Sequence, residues 1–216
     1  MTLRVPQRFV GLWQRRLLET PALRDETTEV FWLQTSTLYV DLRVPCRRQA
    51  PCEGFAGRLK VDGDILTWQR WLDLSPPSPW PDVGRMHGEG DLIEEFGVHQ
   101  PYREVWQRVA HGGDDKALVW EGEEAGQGIW VMLGRYFMWA LFRHEGRLSR
   151  CEVSYGLRGE GKDAWTILRS NEADLVGTSL GRRFDIAMPV GGSGVMFLRD
   201  RSTGQRMHWL PTLELP

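Results

Sequence analysis

The sequence predicts an all-β protein arranged as an antiparallel meander, barrel or sandwich. Turn signals rich in Gly, Asp, Glu and Asn recur about every 8–15 residues, and β-branched and aromatic runs lie between them. Several of those runs alternate apolar and polar residues with the period of two that is typical of a half-buried strand. Helical periodicity is weak, and only residues 22–28 are predicted to form a short helix or turn.

The strands of the first half are the easiest to place. From Leu38 to Val44, alternate apolar side chains share one face. Two further runs, residues 55–61 and 65–74, flank the tripeptide Asp62-Gly63-Asp64, and Asp-Gly between alternating runs is a strong hairpin signal. In the second of these runs the apolar face carries one charge, Arg70.

Residues 129–142 differ because they are apolar on both faces apart from Gly134 and Arg135. A strand with two apolar faces must be covered on both sides. The segment is therefore predicted to lie between two subdomains. It forms either two successive strands or one long strand that bends at Gly134.

Two domains fit the length of 216 residues. The tripeptide Trp-Gln-Arg begins at Trp13, Trp68 and Trp106, and the last copy stands near the start of a second half. We predict one barrel over residues 1–100 and a second over residues 101–216. The Pro-rich residues 75–81 are predicted to form a rigid crossover loop or a lid within the first half.

Composition excludes several classes of protein. The net charge is −2 and the pI is about 6.2, so no overall attraction to nucleic acid is expected. Residues 1–19 carry several arginines without the apolar run of a secretory signal, and no stretch is long enough to span a membrane. The sequence therefore predicts a soluble, cytoplasmic protein that has no membrane partner.

The cysteines, Cys46, Cys52 and Cys151, are odd in number and are predicted to be free thiols. Neither the cysteines nor the scattered histidines have the spacing of a metal site, so no metal is predicted.

Several short stretches resemble the HRI family, which is named for a yeast protein that interacts with a casein-kinase-type kinase. The stretches are Phe31-Trp32-Leu33-Gln34-Thr35 running on to Tyr39-Val40-Asp41-Leu42-Arg43-Val44-Pro45, Glu94-Glu95-Phe96-Gly97-Val98, Tyr102-Arg103-Glu104-Val105-Trp106-Gln107, Gly128-Ile129-Trp130-Val131-Met132-Leu133-Gly134-Arg135 and Ser154-Tyr155-Gly156. The resemblance covers roughly residues 31–156.

The resemblance implies two packed calycin-like β-barrels and no established enzymatic activity. In fungi the family is linked to kinase and translocation-machinery partners. The arginine-rich, lysine-poor composition of this chain resembles bacterial proteins, so those partners are not expected to carry over. Gly11-Leu12-Trp13 is also similar to the G-x-W pattern of the first lipocalin strand.

The candidate ligand-binding residues are Trp13, Trp32, Trp68 and Arg70. They are predicted to border a cavity in the first barrel that holds an apolar or amphipathic molecule with one acidic group. Each lies on or next to an alternating apolar face, and an unpaired charge at Arg70 would be costly without a partner. In the alternative interpretation, the arginines that follow tryptophan by two residues close the barrel ends by stacking on Trp and pairing with acids such as Asp73.

No catalytic residue or cofactor is predicted. The other candidate residues have a structural explanation or lack the arrangement that a functional site needs. Glu94 and Glu95 are adjacent in a strand, so they point to opposite faces and do not form a carboxylate pair. His208 is more often a structural residue than a haem ligand. Residues 191–194 lack the Lys-Ser/Thr ending of a phosphate loop and are predicted to be a flexible hairpin loop.

Three functional classes remain after these exclusions. The first is a small-molecule-binding protein, and the second is a protein-interaction module whose barrels are filled by side chains. The third is a calycin-type decarboxylase or cyclase, which needs Tyr, Arg and Glu to converge in a cavity. The fold alone does not choose among them, because small barrels are either filled or hold one ligand. A non-enzymatic role is the preferred interpretation.

Overall fold

The protein is almost entirely β-structure in the computed structural model, which describes residues 4–46, 50–76, 78–122, 126–145, 148–160, 165–187, 196–201 and 204–211. Two antiparallel sheets follow one another along the chain. The all-β class predicted from the sequence is confirmed. The first sheet consists of β1 (Gly11–Glu19), β2 (Arg24–Asp25), β3 (Glu29–Gln34), β4 (Tyr39–Val44), β5 (Glu53–Asp62), β6 (Ile65–Asp73), β7 (Asp82–His87), β8 (Leu92–Gly97) and β9 (Arg103–His111).

The first sheet closes into a barrel because β9 returns to pair with β1 in antiparallel register. In the described chain, eight strands, β1 and β3 to β9, form the closed wall, and the short β2 adds to β1 outside it. Side chains alternate across the wall, so every second residue of a strand points into the barrel. The closed first barrel agrees with the predicted architecture.

The second sheet is a curled half-barrel. It consists of β10 (Asp115–Gly122), β11 (Gly126–Leu133), β12 (Tyr136–Glu145), β13 (Leu148–Arg158), β14 (Trp165–Ser170), β15 (Phe184–Ala187), β16 (Met196–Asp200) and β17 (Arg206–Pro211). In the described residues its edges are β14 and β15, so this second unit is open where the first is closed.

Short helical segments occur where the sequence did not predict them. A 3₁₀ turn at Ala173–Leu175 and one turn of α-helix, α1 (Leu180–Arg183), connect β14 to β15. The Ser179 side chain accepts a hydrogen bond from the Gly181 backbone N–H and caps α1. The predicted helix or turn at residues 22–28 contains β2 instead.

The hairpin predicted at Asp62-Gly63-Asp64 is present between β5 and β6. Gly63 follows Asp62 at the β5–β6 turn with φ of 63°, a left-handed conformation that glycine adopts without strain. Gly134 has φ of 56° in the turn between β11 and β12. Residues 129–142 are therefore two successive strands rather than one bent strand.

Those two strands lie between two apolar clusters, as predicted. On one face, Ile129, Val131 and Met138 join the core that includes the first barrel. On the other face, Trp130 and Phe137 are fully buried in the core of the half-barrel. The two sheets are thus joined by a continuous apolar layer.

The chain passes from the first sheet to the second between His111 and Asp115. Strand β9 therefore completes the first barrel, and the three Trp-Gln-Arg copies all lie in that barrel, on β1, β6 and β9. The tripeptide repeat does not mark two halves, so that interpretation was wrong. A division into folding units at residue 100 stays a prediction.

Candidate functional site

One end of the first barrel is filled by tryptophan. Trp13, Trp32, Trp68 and Trp106 are all buried. Trp32 lies at their centre, with ring-centroid distances of 5.9 Å to Trp13, 5.7 Å to Trp68 and 5.6 Å to Trp106. Stacked and edge-on arrangements at these distances are favourable contacts between aromatic rings. The four indoles form a solid floor, which we call the tryptophan floor.

The other end of the barrel opens into a pocket of about 480 Å³. We call it the mouth pocket. Its charged and polar lining includes side chains from five different strands, β4, β6, β7, β8 and β9, and from the loops beside them. The residues used below are Arg43, Arg70, Asp82, Glu95, Tyr102 and Glu104.

Arg70 is held by two carboxylates on the wall of the mouth pocket. Its Nε and Nη2 atoms donate to Asp82 at 3.1 and 2.6 Å, and its Nη1 atom donates to Asp73 at 3.0 Å. The guanidinium also lies over the Phe55 ring, 3.5 Å from its centroid. All three nitrogens of the Arg70 guanidinium are therefore engaged by the protein.

Two further arginines in the barrel are paired. Arg15 donates to Glu104 at 2.6 Å, and both side chains are almost fully buried. Arg43 donates to Asp41 at 3.0 Å. Buried charges are tolerated when they are paired and hydrogen-bonded, and these pairs meet that condition.

Glu95 differs from the other carboxylates because its hydrogen-bond donors are neutral. Oε1 accepts from the Tyr102 hydroxyl at 2.6 Å, and Oε2 accepts from the Trp106 indole N–H at 3.0 Å. Glu95 is 3% exposed and stands directly opposite Glu104 across β8 and β9. Burial, and then the Glu104 charge, raise the pKa of Glu95 well above its usual value.

Glycine provides the space that the Glu95 side chain occupies. A Cβ atom at Gly84 would lie 2.6 Å from the nearer Glu95 carboxylate oxygen and 2.7 Å from its Cγ. Glu95 is thus seated against the bare backbone of β7, and this close approach fixes its carboxyl group at the wall of the mouth pocket.

The rim of the mouth pocket is partly apolar. Ser78, Trp80 and Pro81, from the Pro-rich segment, line it together with His99. The Trp80 ring stacks on His99 with a centroid distance of 6.1 Å, yet 55% of the Trp80 surface remains exposed. The described part of the Pro-rich segment therefore lies beside the opening. The prediction that this segment forms a rigid crossover loop or a lid stays a prediction.

The four predicted ligand-binding residues occupy different parts of the barrel. Trp13, Trp32 and Trp68 belong to the tryptophan floor, whereas Arg70 lines the mouth pocket. The bulge in β6 beside Arg70 also changes the face on which later residues lie. Leu72 consequently lines a small cleft between the two sheets instead of sharing the Arg70 face. Ligand binding by these four residues stays a prediction.

Sequence reasoning missed Glu95, Tyr102 and Glu104 as a group. The alternation rule correctly separated Glu94 from Glu95: Glu94 pairs with Arg103, and Glu95 points inward. A hairpin register for β8 and β9 would have brought the three residues together, because Glu95 and Glu104 are direct cross-strand neighbours.

The remaining candidates lie away from the mouth pocket. His208 is exposed on β17 and packs edge-on against Phe197. Cys46, Cys52 and Cys151 are free thiols, as predicted. Residues 191–194 lie outside the described residues.

In the described parts of the chain, His, Cys, Asp and Glu do not gather in groups of three that could hold a metal ion. The described helices are all too short to cross a bilayer.

The mouth pocket is suited to a ligand that donates hydrogen bonds. Arg15, Arg43 and Arg70 are already paired with acids, whereas each Glu95 oxygen accepts one hydrogen bond from the protein and has a second lone pair. An amine, amidine or hydroxyl group would therefore find an acceptor at Glu95.

The comparisons with known proteins establish the fold alone. No protein-family model matches the chain, and no curated protein matches it. A solved structure of an uncharacterised protein, YLR301w from Saccharomyces cerevisiae, has the same fold with a TM-score of 0.63 and 16% sequence identity. The match covers 94% of this chain and 97% of the yeast chain. At this identity the likeness does not extend to a family or a function, so HRI membership stays a prediction and the chain is a β-barrel protein related by fold to an uncharacterised yeast protein.

Proposed function

We propose that the protein binds a small molecule in the mouth of its first barrel. The observation that carries this proposal is Glu95, a buried carboxyl group on the pocket wall whose protein donors are two neutral groups. A pocket of about 480 Å³ lies within the range of about 300–1,000 Å³ that is usual for small-molecule sites.

The chemistry of the pocket favours a cationic or hydrogen-bond-donating ligand with a flat apolar part. The ionisable side chains of Arg, Asp and Glu that line the pocket are Arg43 and Arg70 against Asp82, Glu95 and Glu104, so carboxyl groups outnumber guanidinium groups. An ammonium or amidinium group bonded to Glu95 would favour its ionised form and reverse the effect of burial. The exposed Trp80 ring offers a face for an aromatic or cationic group.

The acidic ligand that the sequence suggested would need a different arrangement. A carboxylate at Arg70 would have to replace Asp82, because Asp82 already occupies the Nε and Nη2 edge of that guanidinium. The replaced Asp82 would then lie in a partly buried site without its hydrogen bonds to Arg70. This competition is our reason for preferring a donor ligand to an acid.

A calycin-type enzyme is the second candidate, and one observation favours it. Tyr102, Glu95 and Arg43 converge on the mouth pocket, which is the set of residue types that a decarboxylase or cyclase of this class needs. A protonated Glu95 could transfer its proton to the carbon that loses CO₂. Incubation with 4-hydroxycinnamate and measurement of released CO₂ tests this activity, and a Glu95-dependent release would place the enzyme ahead of the binding protein.

The alternative function, a protein-interaction module, requires barrels that are filled by side chains. The tryptophan floor fits that alternative, whereas the open mouth pocket fits a binding protein. Ligand titration therefore distinguishes the two directly.

Benzamidine and benzoate form a matched pair of probes, since they share a shape and differ in the sign of their charge. We expect benzamidine, and not benzoate, to raise the thermal unfolding midpoint in a saturable manner. Binding should strengthen as the pH rises, because amidinium binding requires ionised Glu95.

The Glu95→Gln variant should lose this response, and Glu94→Gln is the matched control because Glu94 is the neighbouring residue and pairs with Arg103 outside the pocket. Binding of benzoate alone, abolished in Arg70→Ala, would support the acidic-ligand alternative. The absence of any saturable response to benzamidine would contradict the proposal.

A further inference from the structure

The half-barrel contains a second pocket, of about 220 Å³, that is separate from the mouth pocket. We call it the arginine pocket. It lies at the end of the concave face, where the apolar core of the second sheet gives way to charges. Its charged lining residues are Arg143, Arg150, Glu152, Glu172, Asp174 and Arg183.

Arg143 is the most deeply buried of these arginines. It follows Trp139 and Leu141 on the same face of β12, and 9% of its surface is exposed. Its Nη1 atom donates to Asp200 at 2.9 Å. Its Nε and Nη2 atoms are buried and have no hydrogen-bond partner in the structure. A buried donor without a partner is costly, and more so when it carries charge.

The two unpartnered nitrogens form one edge of the guanidinium plane. This Nε–Nη2 edge presents two parallel N–H groups that match the two oxygens of a carboxylate. Within the described chain, four other arginines have the same edge bound to a carboxylate. They are Arg24 on Glu26, Arg70 on Asp82, Arg103 on Glu94 and Arg169 on Glu29.

Arg169 shows the complete arrangement, with Nε donating to one Glu29 oxygen at 2.6 Å and Nη2 donating to the other at 2.9 Å. Arg143 has the same donor geometry without the carboxylate.

A second observation points to an anion at the same place. Arg143 and Arg150 are direct cross-strand partners on β12 and β13. Like charges in directly opposed positions of a sheet repel each other. An anion between them would remove this repulsion.

The acids of the arginine pocket do not fill this role. Glu152 is engaged by three donors: the Trp139 indole N–H at 2.8 Å, the Ser154 hydroxyl at 3.2 Å and Arg183 Nη1 at 2.6 Å. Glu172 and Asp174 line the outer part of the pocket, and Asp174 is exposed. None of these acids is hydrogen-bonded to the Nε–Nη2 edge of Arg143.

We propose that the arginine pocket binds a small molecule through its carboxylate group, which the Nε–Nη2 edge of Arg143 holds with two parallel hydrogen bonds. Arg150 supplies a second positive charge opposite Arg143. The volume of the pocket restricts the ligand to a few heavy atoms beyond the carboxylate. This site is independent of the mouth pocket and would remain if the function proposed for the mouth pocket were wrong.

The test is a titration of protein labelled with ¹⁵N at arginine, followed through the Nε–H signals. The probes are sodium acetate, sodium succinate and inorganic phosphate, with sodium chloride at matched ionic strength as the control. We expect acetate or succinate to shift one Nε–H signal in a saturable manner. That signal should be absent in Arg143→Lys, which keeps the charge and removes the two-pronged edge.

The outcomes separate the alternatives. A response to phosphate and to neither carboxylate would overturn the carboxylate assignment, and an equal response to chloride would reduce the effect to screening. Carboxylate binding that persists unchanged in Arg143→Lys would also overturn the proposal. If Arg143→Lys does not fold, Arg150→Gln at an exposed position replaces it and should weaken carboxylate binding several-fold, whereas unchanged binding would contradict the site.

Discussion

Truncation of Trp32 tests whether the tryptophan floor is a packed core or the wall of a ligand cavity. Trp32 is 1% exposed and touches three other indole rings at centroid distances of 5.6 to 5.9 Å. A buried Trp covers roughly 150–250 Å². At about 25 cal/mol per Å², that burial corresponds to about 4–6 kcal/mol.

Replacement of a buried aromatic residue by Ala usually lowers the free energy of unfolding by about 3–5 kcal/mol. We expect Trp32→Ala to fall in this range. For a chain of this size each kcal/mol shifts the thermal midpoint by about 2–4 °C, so the midpoint should fall by about 6–20 °C.

The assay is urea and thermal unfolding of the wild type, Trp32→Ala and a control, Trp71→Ala. Trp71 is also on the first barrel but is 44% exposed, so its truncation should change the free energy of unfolding much less. A loss below about 1 kcal/mol in Trp32→Ala would refute the packed floor, because an indole facing an open cavity has little packing to lose. Ligand binding by Trp13, Trp32 and Trp68 would then become the better explanation.

Three further predictions concern polar groups that are buried or half-buried. Because the pKa of Glu95 is raised in the folded protein, the free energy of unfolding should fall as the pH rises from the ordinary glutamate pKa through the folded-state pKa. Glu95→Gln cannot ionise, so unfolding experiments across that pH range should show a smaller loss of stability for this variant than for the wild type. Burial, together with the charges of Asp73 and Glu152, raises the pKa of the Cys151 thiol to about 12. Peptide mass spectrometry should therefore show that iodoacetamide modifies Cys151 in the native protein far more slowly than the exposed Cys46. Arg15→Met should lower the free energy of unfolding by about 3–5 kcal/mol, because it removes the closer cation of the buried Glu104 and leaves that carboxylate beside Glu95 with Arg43 at 4.0 Å; a loss below about 1 kcal/mol in urea unfolding would contradict this account.

Period-two alternation was sufficient to predict most of the fold. It depends on local backbone geometry alone, which is why the β5–β6 hairpin at Gly63 and the two-faced strands on either side of Gly134 were predicted from the residues. A first barrel was predicted, but not that β9 closes it by pairing with β1, because strands far apart in sequence pair through the geometry of the whole sheet.

The candidate site was predicted less well, and the bulge in β6 explains part of the difference. One extra residue beside Arg70 breaks the alternation, so the apolar face assumed for Arg70 does not continue to Leu72. Arg70 instead lies among the acids Asp73 and Asp82, and Asp82 comes from the next strand. A single-strand pattern contains no information about such cross-strand neighbours.

The direction of each strand determines on which side of the tryptophan floor the arginine of its Trp-Gln-Arg tripeptide lies. In β1 and β6 the chain runs from the tryptophan floor towards the mouth, so Arg15 and Arg70 stand above their tryptophans and pair with acids there. Strand β9 runs antiparallel to β1, so its arginine, Arg108, lies on the opposite side of the floor.

Arg108 stacks on the Trp13 ring at 4.4 Å and donates to the backbone oxygens of Arg8 and Gly90, which closes that end of the barrel. Copies of the same tripeptide therefore contribute to the closed floor and to the charged mouth. The antiparallel order of the strands places Arg108 at the floor end and Arg15 and Arg70 at the mouth. The same succession recurs on β12, where Trp139 lies in the apolar core and Arg143, on the same face, lies in the arginine pocket. In both sheets, an aromatic layer excludes water from one side of the arginines, and each pocket begins where that layer ends.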